Sequence, residues 1–135
     1  MRVRLPVTLT VAASALALGA AAHATIAAMH AHLAARLSGM GEHGTVNLTS
    51  TADKGRVCWT FDVPTKGVTG ASIHDAHGMK VVELGMHYAA KGCDTAPKSA
   101  LDSIESHPGR YRVWVDTKGH MGELRGRLFA GTAHM

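Results

Sequence analysis

Val57, Trp59, Phe61 and Val63 alternate with Cys58, Thr60 and Asp62 before Pro64 stops the run. A side-chain period of two sends the apolar set to one face and the polar set to the other, which is the pattern of a half-buried β-strand. The period returns near the end of the chain, where Glu123, Arg125 and Arg127 alternate with Leu124, Gly126 and Leu128. It also runs through Leu33, Ala35 and Leu37, through Val46, Leu48 and Ser50, and through Tyr111, Val113 and Val115. Further strands are predicted over 69–74 and 80–87. The turn Asp53-Lys54-Gly55 is short enough to make the second and third strands a hairpin. Segment 91–97 carries Cys93 and reads as a loop tied back to the third strand. Leu101 and Ile104 stand at helical spacing, which predicts one short helix over 99–107 before Pro108-Gly109 ends it. Seven short strands, glycine-rich turns and no long helix define an all-β class, an antiparallel β-sandwich or small barrel.

Residues 1–24 read as a secretory signal peptide. Arg2 and Arg4 precede an apolar, small-residue run, and Ala22-His23-Ala24 supplies the small-x-small cleavage pattern. Cleavage after Ala24 would start the exported chain at Thr25 and leave no transmembrane anchor. Residues 25–135 then suffice for a single β domain with its core at about 30–130, destined for the periplasm or the extracellular space. Loss of Arg2 and Arg4 lowers the formal charge from +4 by two, to +2. With basic residues read as scattered and only two Trp, two Tyr and two Phe to stack on bases, nucleic acid is not expected as a partner. Cys58 and Cys93 are an even pair in an exported chain, so a structural disulfide is the default. Closing its 35-step loop is worth about 3.5–4 kcal/mol on the chain-entropy account.

Four segments in order carry a family resemblance. They are the Leu33–Leu37 strand running into Ser38-Gly39 with Glu42 and Gly44; Val57-Cys58-Trp59-Thr60-Phe61; Ala71-Ser72-Ile73-His74 followed by Gly78; and Tyr111-Arg112-Val113-Trp114-Val115-Asp116-Thr117 with Gly122–Leu128. The series resembles the CHRD (chordin) domain in its single-domain, secreted bacterial form. The resemblance implies an immunoglobulin-like β-sandwich or barrel, of the kind compared with copper/zinc superoxide dismutases. Part of that comparison is a His-Ile-His strand, and here Ser72 takes its first position. Asp116 replaces the usual histidine before Thr117. The resemblance implies little about activity, and no residue-level motif supports growth-factor binding.

Histidine is the unusual component, with nine after the leader at 30, 32, 43, 74, 77, 87, 107, 120 and 134. Met29, Met40, Met79, Met86, Met121 and Met135 each lie within three residues of one. Imidazole and thioether suit copper, and imidazole suits zinc. His74, His77 and His87 are the candidates to converge as three metal ligands, with His30, His32 and His120 as lesser ones. Ser72, His74 and Asp75 hold the residue types of a nucleophilic triad, but no Gly-x-Ser-x-Gly elbow is present and no catalytic residue is assigned. Paired carboxylates for glycoside hydrolysis are not evident, and the sequon Asn47-Leu48-Thr49 is read as chance. In the closing motif Glu123, Arg125, Gly126 and Arg127 read as structural. Glu123 and Arg125 would pair on the outer face, and Gly126 would leave room for Trp59. The expectation is a secreted, non-enzymatic module with a binding or structural role, no cofactor, and an unidentified extracytoplasmic ligand or protein partner. The alternative is a copper- or zinc-binding protein, with superoxide-dismutase-like activity a distant third.

Overall fold

The computed structural model describes residues 29–64 and 66–134. The leader, its cleavage point after Ala24 and the start at Thr25 lie outside the described residues. Eight strands form one antiparallel sheet: β1 (Ala31–Gly39), β2 (Glu42–Thr51), β3 (Arg56–Asp62), β4 (Val68–His74), β5 (Lys80–Glu83), β6 (Lys91–Thr95), β7 (Arg112–Thr117) and β8 (His120–Ala130). Their spatial order is β5-β4-β7-β8-β1-β2-β3-β6. The sheet curls into a half-barrel, so the all-β antiparallel expectation holds. One helix, α1 (Lys98–Ser106), follows β6. Among the described residues no helix is long and apolar enough to cross a membrane.

The alternation read from the sequence fills the inside of the curl. Leu33, Leu37, Val46, Leu48, Val57, Trp59, Phe61, Ile73, Val113, Val115, Leu124 and Leu128 are all buried in one core cluster. Helix α1 adds Leu101 and Ile104 to it. Nine residues are too few to hold a helix in water alone, so this packing is what sustains α1. The Ser50 hydroxyl, buried beside the core, donates to the Glu105 carboxylate at 2.6 Å and ties β2 to the helix.

Three expectations need correction. Segment 91–97 is not a loop: Lys91–Thr95 is the edge strand β6, paired to β3 with Cys93 directly opposite Cys58. The disulfide between them therefore staples neighbouring strands. The strand expected over 80–87 stops at Glu83, because Gly85 adopts φ +87° and turns the chain beneath Trp59. Trp59 is also not the large neighbour of Gly126. It packs on Gly85 and Gly92, and its indole N–H donates to the Ala89 carbonyl at 2.9 Å.

Gly126 has a different reason to be glycine. A Cβ there would lie 2.1 Å from the Arg36 carbonyl oxygen and 3.2 Å from Leu37 Cδ2. The β1–β8 register runs from Leu33↔Ala130 to Ala35↔Leu128 and resumes at Ser38↔Arg125. In that gap the β1 backbone closes down on β8. Gly39 repeats the device further along β1, with 2.0 Å between a built Cβ and the Glu123 carbonyl oxygen. Gly126→Ala forces backbone apart and is expected to cost about 3 kcal/mol, the upper end for overpacking. Gly92→Ala meets only the Trp59 ring, at 2.9 Å, and should cost less. Urea unfolding of both variants checks the order, and equal costs would show that the strand approach is soft.

Candidate functional site

The outer face of the half-barrel carries the unusual chemistry. Register places Ser72 opposite Trp114, Trp114 opposite Arg125, and Arg125 opposite Ser38, which makes one row across β4, β7, β8 and β1. The next row sets His74 opposite Arg112 and Arg112 opposite Arg127. The same β1–β8 register brings Arg36 beside Arg127. Neighbouring strands stand about 4.7–4.9 Å apart, so the two rows concentrate four guanidinium groups within a few strand widths.

Trp114 organises this face. His74 stacks on its ring with centroids 3.8 Å apart and planes 10° from parallel. The Arg125 guanidinium lies 3.7 Å from the Trp114 centroid. Two groups at that distance cannot share one side of the ring, and β4 and β8 flank β7 on opposite sides. The indole is therefore held between imidazole and guanidinium. Arg125 is pinned further by its Nε–H, which donates to the Gly122 carbonyl at 3.0 Å. Gly122 lets the side chain fold back, since a Cβ there would lie 2.7 Å from Arg125 Nε. Asp116 accepts the Gly122 N–H, and Thr117 Oγ1 donates to the Glu123 carboxylate, so the β7–β8 turn is fixed by its own side chains. Glu123 and Arg125 thus have separate partners and do not pair as expected.

His74 is a buried wall of this arrangement. Its Nδ1 lies 3.1 Å from the Gly78 carbonyl oxygen and its Nε2 lies 2.8 Å from Ser72 Oγ. A carbonyl only accepts, so Nδ1 carries the hydrogen on that side, and Nε2 shares its bond with the Ser72 hydroxyl. Ser72 and His74 thus bond directly, two positions apart on one strand face. They are 2 % and 5 % exposed, and a carbonyl rather than Asp75 holds the far side of the ring.

The three-histidine centre does not assemble. Both His74 nitrogens are engaged, His77 sits exposed in the loop after β4, and His87 sits exposed in the turn after β5. His30 precedes β1 and bonds Thr51 Oγ1 at 2.7 Å, while His32 is exposed within the strand, so they form no common chelate. His120 opens β8 and is exposed. Among the described residues no group of three or more His, Cys, Asp or Glu is placed to hold a metal ion.

What the fold does assemble is a cleft of about 700 Å³ between the loop 75–78 and the outer face of β7, β8 and β1. Arg36, Arg112, Arg125 and Arg127 line it, with Ser38, Asp75 and His77. Ion pairs among the described residues are Lys80–Glu83, Lys98–Asp53 and Lys98–Asp102, so none of the four arginines is paired with a carboxylate. Asp75 faces the cleft but serves its own loop: Oδ1 accepts the N–H groups of His77 and Met79, each at 2.9 Å. The Met79 N–H is the main cause holding its carboxyl below the ordinary 3.8, opposed by desolvation and helped by the His77 N–H and ring.

Of the cleft's arginines, Arg125 and Arg127 stand out in the sequence as motif residues and Arg112 as part of segment 111–117, within a basic set that reads as scattered. Nothing local marks Arg36. The available signal is that all four fall on outward-facing strand positions: Arg112, Arg125 and Arg127 share the β7–β8 hairpin, and Arg36 joins them only through the β8–β1 pairing. Comparison of the chain with known protein families, with curated proteins and with solved structures finds no match.

Like charges directly opposite on a sheet are destabilising, so Arg112→Gln or Arg127→Gln should raise stability by a few tenths of a kcal/mol at low salt. The gain should vanish near 1 M salt, where screening acts within about 3 Å, and paired thermal melts check it. For Asp75, a folded pKa below the unfolded value means its contribution is present above pH 3.8 and is lost as pH falls through the lowered midpoint. The His77 and Met79 amide signals should therefore titrate together, at a midpoint below 3.8.

Proposed function

We propose that this is an extracytoplasmic, non-enzymatic binding module of the CHRD type, and that its working surface is the arginine cleft. The leader pattern over 1–24, with cleavage after Ala24, supports export, and the Cys58–Cys93 disulfide fits an oxidising compartment. The observation that carries the reading is the set of four guanidiniums on one cleft, none ion-paired to a carboxylate among the described residues. A sheet that served only as scaffold would gain by neutralising opposed charges such as Arg112 and Arg127. Keeping them cationic is useful when an anion completes the site, and the guanidinium fork matches two oxygens of a carboxylate, sulfate or phosphate. A cleft of about 700 Å³ is within the range of ligand sites. Catalysis is not part of the reading, because the one Ser–His pair lies buried behind Trp114.

The test is calorimetric titration of the exported chain with dextran sulfate, using neutral dextran as the control. Dextran sulfate should bind and neutral dextran should not, and binding should weaken steeply with added salt. Loss of two charge-assisted contacts in Arg36→Gln/Arg127→Gln should weaken it by about tenfold or more. Binding that ignores this double substitution, or that neutral dextran shares, overturns the proposal.

A further inference from the structure

We infer, resting on the anion-cleft reading, that the ligand is a hydroxyl-rich carboxylate polymer, a polyuronate chain laid across β7, β8 and β1. The first ground is spacing. Arg112, Arg127 and Arg36 occupy successive strands, so their Cα positions step by about 4.7–4.9 Å across the sheet. A polyuronate carries one carboxylate on every ring, so a chain laid across the three strands can offer carboxylates to more than one of these arginines.

The second ground is Asp75. An ionised carboxylate inside a cationic cleft opposes every anion, and the more so the more charge the anion carries. Oδ1 is taken up by the His77 and Met79 N–H groups, which leaves Oδ2 as the acceptor that this cleft-lining residue can offer. A polyphosphate, or a polysaccharide with its hydroxyls sulfated, has no O–H to give it. A uronate carries one carboxylate and free hydroxyls on the same ring, so it satisfies Asp75 and the arginines together. The Ser38 hydroxyl, on the same row as Arg125, can donate or accept in the same way.

The third ground is the state of Trp114. Its faces are covered by His74 and the Arg125 guanidinium, so it offers no platform on which a nucleobase could stack. Recognition in this cleft is by hydrogen bonds and charge.

The experiment compares polygalacturonate, dextran sulfate and inorganic polyphosphate of matched chain length on the exported chain and on Asp75→Asn. The amide introduced by Asp75→Asn can still accept both loop N–H bonds through its oxygen, and retained hydrogen-exchange protection of the Met79 amide verifies this. The parent should favour polygalacturonate. Asp75→Asn should lower the ratio of polygalacturonate to dextran sulfate affinity by about tenfold, and Ser38→Ala should lower it less. Affinity for oligogalacturonates should climb with chain length and level off once the chain spans Arg112, Arg127 and Arg36. Preference for dextran sulfate or polyphosphate in the parent, or a ratio unmoved by both substitutions, overturns this inference and leaves the anion-cleft reading standing. Absence of binding by all three polymers overturns both.

Discussion

The approach of β1 to β8 at Gly126 is the constraint on which the remaining structure depends. With a built Cβ only 2.1 Å from the Arg36 carbonyl oxygen, the two backbones are closer than any side chain permits. That approach joins two halves of the sheet, β5-β4-β7-β8 on one side and β1-β2-β3-β6 on the other. Inside the curl, Leu37 reaches Gly126 and the core closes over it. Outside it, the same crossing carries Arg36 to Arg127 and so completes the cationic cleft. One glycine thus serves burial on one face and charge concentration on the other, because a strand's side chains alternate.

Either side of this seam the chain is secured by different means. On the β3–β6 side the Cys58–Cys93 disulfide staples an edge strand whose own residues are largely exposed and bury little apolar surface. On the β4–β7 side the hold is polar and aromatic: Ser72 to His74, His74 to Gly78, and the ring stack on Trp114. The tail after β8 is held by a third device. Asn47 bonds the Ala133 backbone reciprocally, with its amide donating at 2.9 Å and its carbonyl accepting at 2.8 Å. That engagement gives Asn47 a structural role independent of the sequon around it.

Most of the fold was legible because period-two alternation directly reports a sheet with one buried face. Val57, Trp59 and Phe61 announced β3, and Leu101 with Ile104 announced α1. Segment 91–95 was not legible, since Lys91-Gly92-Cys93-Asp94-Thr95 is a mostly exposed edge without alternation and is ordered by pairing and the disulfide. Of the cleft, Arg125 and Arg127 were visible within the motif. Their junction with Arg36 and Arg112 depends on which strands become neighbours, and local pattern carries no such information. The histidines misled for the same reason. Their number was visible, but the distances between His74, His77 and His87 are set by turns that periodicity does not describe.

His74 shows what the fold does with a residue that invites a metal reading. A ligand imidazole needs an unengaged nitrogen, and here Nε2 is bonded to the Ser72 hydroxyl while Nδ1–H is held by the Gly78 carbonyl. So fixed, the ring presents a flat face to Trp114, and Trp114 in turn presents its other face to Arg125. Arginine carries about 2 kcal/mol of rotamer entropy, much of which binding would otherwise have to remove. Stacking removes part of that freedom beforehand for Arg125 and leaves Arg36, Arg112 and Arg127 to adjust around it. The chain from Ser72 through His74 and Trp114 to Arg125 is therefore best understood as preorganisation of one cation by a buried, hydrogen-bonded histidine.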